Sequence, residues 1–205
     1  MRQADSKDAL RRAIQTRRRG LSTQQWAVAD SARTQFLLSS LGDIPGTVAM
    51  YASRPHEPGT DEAITRLHSA GWRVLLPVSG RSPGWAQFDG WEQMRTGWGD
   101  IPEPVQPIEQ TTDLLQADVV VIACLAVAAD GTRLGTGGGW YDRALLRRRP
   151  GVPVWALARA GELLETLPVE PHDVAVNQVV TELGSHACGE AAVTGISAPW
   201  QSELS

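Results

Sequence analysis

Val119-Val120-Val121-Ile122-Ala123 is an unbroken apolar run that leads towards Asp130-Gly131-Thr132-Arg133-Leu134-Gly135-Thr136-Gly137-Gly138-Gly139-Trp140-Tyr141-Asp142-Arg143. A strand apolar at every position has both faces buried, as in a parallel sheet covered by helices. Val152–Ala158 repeats the pattern downstream. Thr47–Tyr51 and Arg73–Pro77 also read as strands, whereas Thr60–Ala70 and Gly139–Arg149 carry helical spacing, the latter stopped by Pro150. Strand and helix alternate, which predicts an α/β fold: a mostly parallel sheet flanked by helices on both faces.

Two helices are expected ahead of that core. Ala9, Leu10, Ala13 and Ile14 recur at helical spacing within Ser6–Arg19, and Gly20 ends the run. Ser22 with Gln25 forms a capping box for a second helix reaching about Leu41. Pro83–Pro107 reads as a loop with Trp85, Trp91 and Trp98 among its glycines and prolines, a pattern of functional or surface-clamped segments. The 205 residues suit one substantial core. A single domain is therefore expected over 1–190, with a helical region at 5–41, an α/β core at 47–182 and a loosely held tail at 191–205.

The net charge of −4 gives no bulk attraction to nucleic acid or anionic membrane. Residues 1–20 are nevertheless basic, with Lys7, Arg11, Arg12, Arg17, Arg18 and Arg19 among them, which fits a solvated helix face or an anion-binding one. Cys124 and Cys188 lie far apart without metal-ligand spacing, and no apolar run is long enough to span a bilayer. A cytoplasmic protein with reduced thiols is expected.

The chemistry is concentrated in the glycine-rich segment. Gly135, Gly137, Gly138 and Gly139 permit positive φ and close approach of backbone amides to a bound group, and a helix N-terminus follows. Glycine richness alone suits a phosphate cradle or a tight turn on a buried sheet edge. GxGxxG fails because Trp140 takes the last glycine position, and no P-loop Lys-Ser/Thr follows. Arg133 and Arg143 flank the run and can fork onto phosphate oxygens. Asp142, in the first helical turn, suits either a Mg²⁺ ligand or a carboxylate that favours the helix dipole.

The run Arg133-Leu134-Gly135-Thr136-Gly137-Gly138-Gly139-Trp140-Tyr141-Asp142-Arg143 resembles the signature of the 5-formyltetrahydrofolate cyclo-ligase family. Lys7-Asp8-Ala9-Leu10-Arg11, Tyr51–Thr60, Ile101-Pro102-Glu103-Pro104 and His172–Asn177 match further family segments in order, over almost the whole chain. The resemblance implies a single-domain fold similar to the NagB/RpiA/CoA-transferase-like fold. It also implies an enzyme that cyclises 5-formyltetrahydrofolate to 5,10-methenyltetrahydrofolate with ATP as co-substrate and Mg²⁺ as cofactor, acting as a monomer on small molecules alone.

Carried over by position, the resemblance implies ATP contacts at Lys7, Arg11, Arg133, Leu134, Gly135, Thr136, Gly137, Gly138, Gly139, Trp140 and Tyr141. Lys7 and Arg11 are one helical turn apart and share a face. Substrate contacts fall on Ala52, Glu57 and Thr136 to Trp140. Trp98 and Trp140 are candidates to stack on the pterin, or simply to pack. Arg133 and Arg143 are the expected catalytic cations, since phosphoryl transfer needs positioning and charge neutralisation rather than a nucleophilic side chain. Asp142 is the expected magnesium ligand. A second aspartate is expected near the last parallel strand, where the matching residue is Asn177, with Asp173 close by in sequence. The segment Ala123–Ala128 lacks the family's proline and aspartate, and Trp98–Ile101 is slightly shifted. These departures keep open a relative that binds nucleotide or folate without turnover.

Overall fold

The computed structural model describes residues 3–78, 83–105, 114–170, 173–189 and 201. In chain order its elements are α1 (Gln3–Arg19), α2 (Thr23–Leu41), β1 (Thr47–Ala49), α3 (Asp61–Ser69), β2 (Arg73–Val78), β3 (Gly84–Gln87), β4 (Met94–Thr96), β5 (Pro102–Pro104), β6 (Val119–Ala123), β7 (Ala126–Ala128), β8 (Arg133–Leu134), α4 (Trp140–Leu145), β9 (Val154–Leu157), β10 (Leu163–Leu164), β11 (Gln178–Thr181) and β12 (Gly184–Ala187). The main sheet runs β12-β11-β9-β6-β1-β2-β3. Its five inner strands are parallel; β12 and β3 close the edges antiparallel.

The apolar runs supply two cores because alternate strand residues face opposite sides of the sheet. Val120, Ile122, Val154, Ala156 and Val179 meet Ala144 and Leu145 of α4 on one face. Val119, Val121, Leu157 and Val180 meet Leu37 of α2 and Ala63, Ile64 and Leu67 of α3 on the other. A third cluster seats Ile14 and Leu10 of α1 against Ala126, Ala128, Leu134 and Leu164 of the small sheet β10-β7-β8. The Ser22–Gln25 capping box starts α2, and Gly42 ends it at φ 79°.

Two expectations need correction. The helix expected over Gly139–Arg149 is confined to Trp140–Leu145. Arg147 and Arg148 then bond three residues back, to Ala144 and Leu145, because Pro150 disfavours helical backbone immediately before it. The loop expected over Pro83–Pro107 contains β3, which extends the main sheet with Ala86 opposite Leu76, and the ribbon β4-β5. Its prolines 102 and 104 sit on a two-stranded ribbon, where a missing amide is tolerated; residues 106 and 107 lie outside the described residues. Of the expected tail only Gln201 is described, and it bridges to Leu164.

The strand order also sets where a ligand can enter. From β1 the chain builds β2 and β3 on one side, then returns to lay β6, β9 and β11 on the other. The carboxyl ends of β1 and β6 therefore flank a topological switch point, where open α/β sheets hold their ligands.

Candidate active site

Three segments meet at that switch point. The first leaves β1 as Tyr51–Thr60 and is cross-braced: the Tyr51 hydroxyl donates to Pro58 O (2.8 Å), and the Thr60 hydroxyl to Tyr51 O (2.7 Å). Ala52 is 3% exposed at the base of this loop. Glu57 accepts the Arg54 amide (3.1 Å) and guanidinium (2.9 Å), which fixes its carboxylate. The second segment carries Tyr141, which makes a backbone hydrogen bond with Ala123 at the end of β6. Desolvation, and next the Glu57 charge, push the hydroxyls of Tyr51 and Tyr141 well above the ordinary tyrosine range. Glu57 thus faces both tyrosines, and both stay neutral hydrogen-bonding groups.

The glycine-rich turn runs from β8 into α4. Leu134 buries its side chain in the α1 cluster, so its backbone alone is available to a ligand. Gly137 (φ 104°) and Gly139 (φ 61°) adopt backbone that favours glycine, and no atom crowds the Cβ positions of Gly135 and Gly138. Arg143 donates to Gly138 O (3.1 Å) and so lies over the turn. From α1, Arg11 Nε donates to Gly135 O (2.9 Å), and the same guanidinium sits 3.5 Å from where a Gly137 Cβ would stand. Lys7, 4% exposed, pairs with Asp173 (2.8 Å) and Glu170 (3.4 Å). The structure therefore brings Arg11 and Arg143 onto one open glycine turn from distant parts of the chain, while Lys7, one helical turn before Arg11, is held by Asp173 and Glu170.

Beneath the turn, Arg133 pairs with Asp142 and donates to Val174 O, while Val174 N reaches Asp142 Oδ1 (3.3 Å). Asp173 directly precedes Val174 in the chain, and its carboxylate accepts Lys7 (2.8 Å) and the Glu170 amide (2.8 Å). Asn177 is spent elsewhere: its Oδ1 accepts the Val154 amide (2.8 Å) and fastens the start of β9 to the start of β11. That bond occupies the Oδ1 of the residue at the position where the family pattern leads us to expect a metal-bound aspartate. Sequence reading noted Asp173 but could not bring it to the site; the Lys7 contact does. Tyr51 opens the Tyr51–Thr60 segment matched in the sequence, but nothing in the chain pointed to its place beside Glu57. No group of three or more His, Cys, Asp and Glu side chains is arranged for a metal among the described residues.

Of the tryptophans, Trp140 packs between Trp85 (5.2 Å between rings) and Tyr141 (5.0 Å) and is partly held by the core. Trp98 lies in a short 3-10 turn, and its side chain is outside the described residues, as is His172. Cys124 is buried, with desolvation pushing its thiol up to about 12, which is the behaviour of a core residue.

Comparison with known proteins adds a family to this geometry. The sequence model of the 5-formyltetrahydrofolate cyclo-ligase family matches residues 3–182. A 5-formyltetrahydrofolate cyclo-ligase of Mycolicibacterium smegmatis is 33% identical over 183 residues, covering 86% of this chain and 93% of the relative. That of Escherichia coli is 32% identical, covering 82% and 96%. Among solved structures, the 5,10-methenyltetrahydrofolate synthetase of Aquifex aeolicus superposes with a TM-score of 0.77 at 24% identity, over 93% of this chain and 95% of that one. The fold is shared. No described helix is long and apolar enough to cross a membrane.

Proposed function

The chain belongs to the 5-formyltetrahydrofolate cyclo-ligase family, and we propose that it closes the folate ring at the β1/β6 switch point at the expense of Mg·ATP. It is an enzyme, a ligase that forms a C–N bond by cyclisation. The observation that carries the ATP reading is the placing of Arg11 and Arg143 on the open turn Gly135–Gly139, which leads into Tyr141; Lys7, one helical turn before Arg11 on α1, is the further cation.

In this reading the turn amides and the three cations hold the triphosphate, and Glu57 with Ala52 borders the folate. The formyl oxygen on N5 is a poor leaving group. Transfer of the γ-phosphoryl to that oxygen releases ADP and leaves an iminium-type phosphate. N10 then attacks the formyl carbon and loses its proton. The C–O bond breaks, phosphate departs and 5,10-methenyltetrahydrofolate remains. Water must be kept from the activated carbon, and the buried Tyr51 and Ala52 with the partly buried Trp140 offer the crevice low-polarity surface. Asp142 and Asp173 offer the hard oxygen ligands that Mg²⁺ prefers, and the ion would neutralise charge on the phosphates.

Without ligand these groups satisfy each other, Lys7 with Asp173 and Arg133 with Asp142. Mg·ATP brings both an anion and a cation, so a concerted exchange of partners supports binding without leaving a buried charge unpaired. The test is stoichiometry: one ADP released per methenyl product, and none when 5-formyltetrahydrofolate is omitted. ADP release that ignores the folate would contradict the proposal.

A further inference from the structure

We propose that the cleft at the carboxyl ends of β9 and β11 is an oxyanion site, taking a carboxylate or phosphate group on Arg159. This cleft has a volume of about 200 Å³, and its walls include Arg17, Arg18, Arg159, Glu162 and Glu182. It is separate from the glycine turn, and the inference does not rest on the proposed reaction.

The carboxylates of the cleft are committed. Glu162 accepts Arg18 Nε (2.7 Å) and Nη2 (2.6 Å) and also the Arg159 amide (2.9 Å). Glu182 accepts Arg33 Nη2 (3.0 Å) and the Ala160 amide (3.2 Å). Arg159 is the exception. Its Nη2 stands 3.9 Å from Glu182, beyond hydrogen-bond length, and its Nη1 is buried with no hydrogen-bond partner among the described residues. The guanidinium is nonetheless held in place, 5.0 Å over the ring of Trp26, whose own buried Nε1 also lacks a partner.

Buried donors are almost always satisfied, and a charged one is the costliest to leave open. The open Nη1 of Arg159, on a side chain that the fold already orients, calls for an acceptor that the described residues do not supply. A planar guanidinium with a free edge matches the fork of a carboxylate or phosphate. Arg17, whose Nη2 donates to Gly161 O (2.6 Å), brings further positive charge to the wall. Arg18 also donates to Cys124 O (2.8 Å), just past the carboxyl end of β6, so the cleft lies at the same end of the sheet as the switch point. The anion can therefore be free phosphate or a carboxylate carried by a larger ligand bound beside it.

The experiment is calorimetric titration of the full chain with inorganic phosphate and with glutarate, without nucleotide or folate, at constant ionic strength set by chloride. Wild type is expected to bind at least one of the two saturably. Loss of a charge-assisted contact predicts about tenfold weaker binding in Arg159→Leu. Arg159→Lys and Trp26→Phe, which preserve charge and ring respectively, should each weaken binding and guard against a folding defect in the leucine variant. Absence of binding in wild type would overturn the proposal. So would Arg159→Lys and Trp26→Phe both binding as wild type, or phosphate binding that survives Arg159→Leu and disappears in Arg11→Met, which assigns the anion to the glycine turn. The two sources separate in turnover: a substrate carboxylate predicts a raised KM for folate in Arg159→Leu with kcat unchanged, whereas free phosphate predicts neither change. Either result is consistent with the site.

Discussion

Lys7 and Arg11 show how the basic face of a helix is drawn into the fold. By sequence alone their face of α1 is equally a solvated surface; in the fold Lys7 is 4% exposed against Asp173, and Arg11 reaches Gly135. Arg11→Met is expected to raise KM for ATP about tenfold, the scale of one charge-assisted contact, with little change in KM for folate. Steady-state kinetics in each substrate checks it. If Asp142 and Asp173 hold Mg²⁺ as proposed, Asp173→Asn should raise the half-saturating Mg²⁺ concentration about tenfold, whereas Asn177→Asp should shift it less than about twofold, because Asn177 Oδ1 serves Val154. A reversal of those two effects in Mg²⁺ titrations would restore the Asn177 assignment. Arg18 differs again. Burial works against its charge, yet Glu162 holds it above its ordinary range, and both side chains are almost fully buried. Breaking that pair with Arg18→Met leaves a lone buried carboxylate and is expected to cost about 3–5 kcal/mol, read from the urea midpoint. The partners of Lys7, Arg11 and Arg18 could not be read in the chain, since each of these contacts joins residues more than a hundred positions apart.

At the scale of elements, legibility followed the strength of the periodic signal. β6 was readable at Val119–Ala123 because every residue is apolar, and α2 because Ser22 and Gln25 make a capping box. β3 was not, because its four residues begin with Gly84, lie between Pro83 and Gly90, and pair only through β2. The burial of Trp85 comes from that pairing, a tertiary effect with no local sign. The glycines of the site divide in the same way. Gly131 has φ 89° and a Cβ there would stand 2.3 Å from Val176 O, so it is the glycine that lets the Val174–Val176 segment lie against the β7–β8 turn. Gly131→Ala should destabilise the fold by about 1–3 kcal/mol or more. Gly135→Ala meets no atom within 4 Å, and should leave thermal stability intact while weakening nucleotide binding. Thermal melts paired with nucleotide titration separate the two variants; equal melting losses would contradict this division.

For the molecule as a whole, the two buried thiols set an alkaline limit. Desolvation raises Cys124 and Cys188 from an ordinary 9.0 to about 12 in the fold. The native state therefore keeps protons that the unfolded chain releases, and this stabilisation is complete below pH 9 and is lost as pH rises towards 12. Denaturant midpoints measured across that range should fall with pH, and Cys124→Ala should flatten the slope. The alternating strands and helices made the sheet legible, and the glycine-rich segment made an anion site legible. The position of the crevice was not, because the chain switches sides between β2 and β6 and only the assembled strand order reveals it. The central claim is that this crevice joins N10 to the formyl carbon under the drive of ATP. Its most direct test is the methenyl absorbance of purified protein given 5-formyltetrahydrofolate, Mg²⁺ and ATP. The account predicts a rise that requires all three; no rise, or the same rise without ATP, would contradict it.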